Sequence, residues 1–99
     1  MGAPFKGGPV TITASAQSLT TGLALGQNLV FSHMAIRADK ANAGRVWLGL
    51  ANVTTTTNQL GFIDAGEAFE VALERVYSDT GQLYLIGTAA DKVYIAMVQ

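Results

Sequence analysis

The feature that most limits what this chain can fold into is a period-two alternation of apolar and polar residues, repeated in short runs along its length. Val10, Ile12 and Ala14 alternate with Thr11 and Thr13. Val46, Leu48 and Leu50 alternate with Arg45, Trp47 and Gly49, and Phe69, Val71 and Leu73 with Ala68, Glu70 and Ala72. Successive side chains of a strand point to opposite faces, so each run buries one face and leaves the other free. A further run over residues 28–37 sets Val30, Met34 and Ile36 against Phe31, His33 and Ala35, and apolar stretches at 83–87 and 93–98 flank a turn at 88–92. Residues 68–73 also hold good helix formers, but their period of two favours a strand. In residues 15–27, Gly22 and Gly26 weaken a helical reading, and the segment predicts a loop with a short strand. Short strands separated by turn residues predict an all-β chain: a single antiparallel β-sandwich, jelly-roll-like in form.

The alternation begins at Val10. Residues 1–9 contain three glycines and two prolines, which resist both helix and central strand. They predict an extended N-terminal arm whose one large apolar anchor is Phe5, with residues 10–99 as the sandwich domain. With no cysteine in 99 residues, neither a disulfide framework nor a thiolate metal site braces the fold. Charged residues make up 13% of the chain, where an ordinary soluble domain carries about 25%. Together with 49% hydrophobic residues, this points to apolar surface left over for partner subunits. A net charge of -1 without a basic cluster gives no electrostatic footprint for nucleic acid. The N-terminus has no apolar h-region, and no segment approaches the roughly 20 apolar residues needed to cross a bilayer. The expectation is synthesis in a cytoplasm and no membrane partner.

The segment Gly44-Arg45-Val46-Trp47-Leu48-Gly49-Leu50-Ala51-Asn52-Val53-Thr54, with Leu60-Gly61 and then Ala65-Gly66-Glu67 after it, has a physical reading of its own. Gly44 and Gly66 suit turns with positive φ, Gly49 permits close backbone approach, and Asn52 can bond its own backbone two residues on. The run is also similar to a pattern in short virion accessory proteins of tailed bacteriophages, the decoration or cement type, over a stretch from about Asn28 to the C-terminus. The resemblance implies a structural virion protein, made in the host bacterial cytoplasm. Such a protein forms trimers or other rings and docks on the major capsid protein or other virion proteins without a cofactor. A tail or fibre component and a carbohydrate-binding host-attachment module are the alternatives. Relatives tend to place Leu and Pro after the first Gly of the second half, where this chain has Phe62-Ile63-Asp64, so no contact residue is carried over.

Among the chemistry-bearing residues, the lone histidine, His33, has no base-and-orienter spacing around it that would make a catalytic triad. Asp64, Glu67, Glu70 and Glu74 form the one acidic cluster, but alternation divides them between faces. Solvated charges that discourage edge pairing are the simpler account than a calcium site. No catalytic, metal or cofactor site is expected, and the chain is not read as an enzyme. The Asn52-Val53-Thr54 match to a glycosylation acceptor is taken as accidental. Trp47 lies opposite Val46, Leu48 and Leu50: if those three fill the core it faces a partner, and otherwise its own face is the core. The expected interface residues are Phe5, Trp47, Thr54, Thr55, Thr56, Thr57, Tyr77 and Tyr84, and Tyr94 could join them.

Overall fold

A computed structural model describes residues 5–29, 33–72 and 80–98. The chain is mostly β. In order it forms β1 (Phe5–Thr11), β2 (Gln17–Ser18), α1 (Leu19–Gly22), β3 (His33–Ala38), β4 (Val46–Gly49), β5 (Gln59–Ile63), β6 (Ala68–Ala72), β7 (Tyr84–Ile86) and β8 (Lys92–Val98). These make two antiparallel four-stranded sheets, one ordered β1-β8-β3-β6 and the other β2-β7-β4-β5. Among the described strands that are consecutive in sequence, β4 and β5 are the one pair that lie side by side; the other described strands alternate between the two sheets.

The alternation sorts inside from outside as the physics of a pleated strand requires. On β3, Met34, Ile36 and Ala38 are buried while His33, Ala35 and Arg37 are exposed. On β4, Val46 and Leu48 are buried. Both sheets feed one core: Val10, Ile36 and Ile95 from the first meet Leu48, Ile63 and Leu85 from the second. At about 25 cal/mol per Å² of apolar area, each such side chain contributes about 1.5–3 kcal/mol relative to exposure.

Expectations for three segments are corrected. Of the arm expected over residues 1–9, residues 1–4 lie outside the described residues, and from Phe5 the chain is strand: β1 pairs Phe5 with Val98 and continues to Thr11 opposite Lys92. Pro9 is tolerated because β1 is an edge strand, and Gly7 is required because a Cβ there would meet the carbonyl oxygen of Ile95. Within 15–27, one helical turn joins the short strand. Ser18 caps it, its hydroxyl accepting from the Thr21 N–H at 3.2 Å, and buried Leu19 holds it to the core. Leu50, expected inside with Val46 and Leu48, is 44% exposed. The strand ends at Gly49, and Leu50 opens a turn in which the Val53 N–H donates to its carbonyl at 2.9 Å, so the alternation no longer applies.

The cross-sheet connections are pinned by side chains standing in for backbone. The buried Asp91 carboxylate accepts the N–H groups of Ala43 and Gly44, each at 2.9 Å. Asn42 pairs with the Lys92 backbone in both directions, donating to its carbonyl and accepting from its N–H at 2.8 Å. Gly66 takes its expected positive φ, 81°. Gly44 has no positive φ, and its lack of a side chain instead makes room for the Thr88 hydroxyl.

Candidate functional site

Strand register builds the candidate site on the outer face of the second sheet. Val46 and Leu48 point into the core, so Trp47 points away from it, and its partners across the ladder are Phe62 on β5 and Ile86 on β7. Directly paired residues share a face, so these three make one apolar row across three strands. Trp47 is half-buried, and its ring meets Phe62 edge-on, with centroids 5.4 Å apart and planes at 62°. Such aromatic pairs add about 0.5–1.5 kcal/mol beyond their area.

Two residues before Trp47 on the same face, Arg45 lays its guanidinium over both rings, its central carbon 3.9 Å from the Phe62 centroid and 5.3 Å from that of Trp47. Its fork is held by Asp64: Nε donates to Oδ1 at 2.6 Å and Nη2 to Oδ2 at 3.1 Å. That bond holds the Asp64 carboxyl below its ordinary value against a smaller opposing effect of desolvation, and it raises Arg45. Asp64 is fixed in turn by its N–H, which donates to the Glu67 carboxylate at 2.9 Å.

The loop 50–58 folds back over the other end of this face. A Cβ on Gly49 would lie 2.7 Å from the Val53 side chain and 2.8 Å from the Asn58 carbonyl, so the glycine is what lets the loop close down. Val53 and Ile86 are buried yet stand apart from the shared core, Ile86 on the outer face of β7 and Val53 against Gly49. Beyond Val53 the loop is tied to itself. The Thr54 hydroxyl accepts the N–H groups of Thr57 at 2.8 Å and Thr56 at 3.2 Å, and the Thr54 N–H donates to the Thr57 carbonyl at 3.0 Å. All four threonines are exposed, with Thr54 committed to its own turn.

Of the remaining expected interface residues, Tyr84 pairs with Gly49 across the ladder. With Leu50, Ala51, Gly81 and Gln82 it lines an open apolar groove of about 280 Å³. Phe5 sits at the end of β1 in the opposite sheet, Tyr94 faces out from that sheet and bonds Asp39, and Tyr77 lies outside the described residues. Phe62, Arg45 and Val53 join the site without having been singled out by the sequence. Phe62 belongs there because β4 and β5 pair, and Val53 because Gly49 leaves a space that an apolar residue a turn later can fill.

The large hydrophobic residues exposed among those described are Leu50, Leu60, Phe62 and Tyr94, and the first three sit on β5 or the turn leaving β4. His33 is exposed on the other sheet. Among the described residues no three His, Asp or Glu side chains converge as a metal cage would require, and Asp64 is committed to Arg45. The arrangement is chemically suited to holding another surface by apolar contact. No protein-family model matches the chain, and no curated protein or solved structure is significantly similar to it.

Proposed function

We propose that the chain is a structural virion protein, a jelly-roll β-sandwich that associates with copies of itself and docks on a phage capsid as a decoration or cement component. Two sheets ordered β1-β8-β3-β6 and β2-β7-β4-β5 follow the strand order of a double Greek key, which supports the jelly-roll reading. The observation that carries the function is the apolar outer face of the second sheet. There half-buried Trp47 and exposed Phe62 lie beside exposed Leu50 and Leu60, over buried Ile86, a surface suited to a standing contact. The carbohydrate-binding alternative needs a bare aromatic platform, and here the Phe62 ring is already capped by the Arg45 guanidinium at 3.9 Å.

Co-sedimentation with capsids assembled in the absence of this protein tests the reading. The wild-type chain is expected to bind them saturably. Trp47→Ala is expected to stay folded and bind about tenfold or more weakly, as loss of an interface anchor does. The single tryptophan reports the same event by its emission. Binding to a glycan panel with no affinity for capsids would overturn the proposal.

A further inference from the structure

Four strands end the two sheets, and three of them carry features that discourage another strand from adding on. β1 holds Lys6 and Pro9, β2 is two residues long, and β6 holds Glu70. Charges, prolines and short length are how sheets blunt their edges. β5 differs: Gln59-Leu60-Gly61-Phe62-Ile63 has no charge and no proline, and its one blunting device is the bulge where Gly61 pairs with Leu48 and Gln59 with Gly49. It also carries the most exposed large apolar side chain among the described residues, Leu60 at 71%, with Phe62 at 45%. Among the described residues nothing pairs with its outward side.

We infer that β5 is a strand-pairing surface for a second copy of this chain, joined edge to edge and antiparallel about a two-fold axis at Gly61. An edge strand offers unpaired N–H and C=O groups, and the complement to those groups is another extended strand. A two-fold partner supplies side-chain complementarity as well. With Gly61 opposite its own copy, Leu60 falls opposite the other copy's Phe62 and Phe62 opposite the other copy's Leu60. Both exposed apolar residues are then covered twice over, which is the self-complementarity an isologous contact demands. Phe62 already packs on Trp47, so the pairing sets the other copy's Leu60 beside that aromatic pair. This contact is read on the free protein, and it uses Leu60 and Phe62 at the margin of the face proposed to meet the capsid, whose anchor is Trp47. It implies a dimer in solution, whereas the resemblance to decoration proteins implies a trimer.

The test is the mass of the free protein with a register check. Sedimentation equilibrium is expected to give a dimer, and Leu60→Lys, which adds a charge at a site with little packing in its own chain, should weaken that dimer about tenfold or more. Thr11→Lys, on the edge strand of the other sheet, should leave the mass unchanged. The chain has no cysteine, so the double variant Leu60→Cys/Phe62→Cys is expected to cross-link two copies on mild oxidation. The paired Cα atoms of an antiparallel ladder sit about 4.5–5.5 Å apart, within disulfide reach. Each single cysteine variant should cross-link poorly, being two residues out of register with its own copy. A wild-type monomer or trimer, or a dimer indifferent to Leu60→Lys, overturns the inference and leaves the capsid-binding test unaffected.

Discussion

On the outer face of the sheet β1-β8-β3-β6, a middle row reads Gly7, Ala96 and Ala35. The matching row of the sheet β2-β7-β4-β5 reads Phe62, Trp47 and Ile86. The first row is bounded by polar side chains such as Arg37, Lys92 and the Tyr94–Asp39 pair, and it is finished by solvent. Beside the second, Val53 is folded down on Gly49 and Arg45 lies over the rings. The difference shows that one amphipathic pattern, apolar in and polar out, describes only half of this molecule. The second sheet carries apolar side chains on both faces, and its outer face leaves Leu60 and Phe62 exposed.

The largest effect that could break the comparison is removal of an outer-face residue from each sheet. Ile86→Ala, which empties a site buried outside the core, is expected to cost about 2–4 kcal/mol in urea unfolding. Ala35→Ser, exposed in the middle row of the other sheet, is expected to fall within about 0.5 kcal/mol. Equal small losses at both sites would mean that the outer face of the second sheet carries no stability. Gly49→Ala sharpens the same point. Its Cβ would lie 2.7 Å from Val53, so a loss of about 1–3 kcal/mol is expected. Adding Val53→Gly should recover part of that loss, because it removes both Val53 atoms that lie 2.7 Å from the added Cβ and leaves only the Asn58 carbonyl at 2.8 Å. Strict additivity of the pair would contradict the packing.

The contrast also explains what could be read from the residues alone. Alternation is local, so the strands and the inward direction of Met34, Ile36, Val46 and Leu48 follow from neighbours two apart in sequence. Which strand lies beside which does not, since the described strands other than β4 and β5 alternate between the two sheets, and only strand pairing brings Ile86 to Trp47. The start of β1 was hidden for a different reason. Gly7, Gly8 and Pro9 are hostile to a central strand, and only its edge position against β8 makes them acceptable. In the candidate site, Trp47 was legible as a large aromatic on the face away from the core. Phe62 and Arg45 were not, because their roles arise from register and from the reach of a long side chain across it.

The smallest expected effects separate the two faces by what holds their carboxylates. Asp64, on the second sheet's side, lies below its ordinary value of 3.8, chiefly through the Arg45 hydrogen bond. Asp39, beside the first sheet, is lowered chiefly by the Ala41 N–H, with Tyr94 and the charges of Lys92 and Lys40 adding to it against desolvation. Both folded pKa values are depressed. The ionised carboxylates therefore contribute stability that is present above the unfolded value and is lost as pH falls through the lowered folded one, placing the window below about pH 4. Following the carboxyl carbons by NMR, Arg45→Met is expected to move Asp64 up toward 3.8, while Tyr94→Phe shifts Asp39 only slightly because the backbone donor remains. If Arg45→Met left Asp64 where it was, the guanidinium would not be its partner in solution. The cap on Phe62, which weighs against the carbohydrate-binding alternative on this face, would then fall with it.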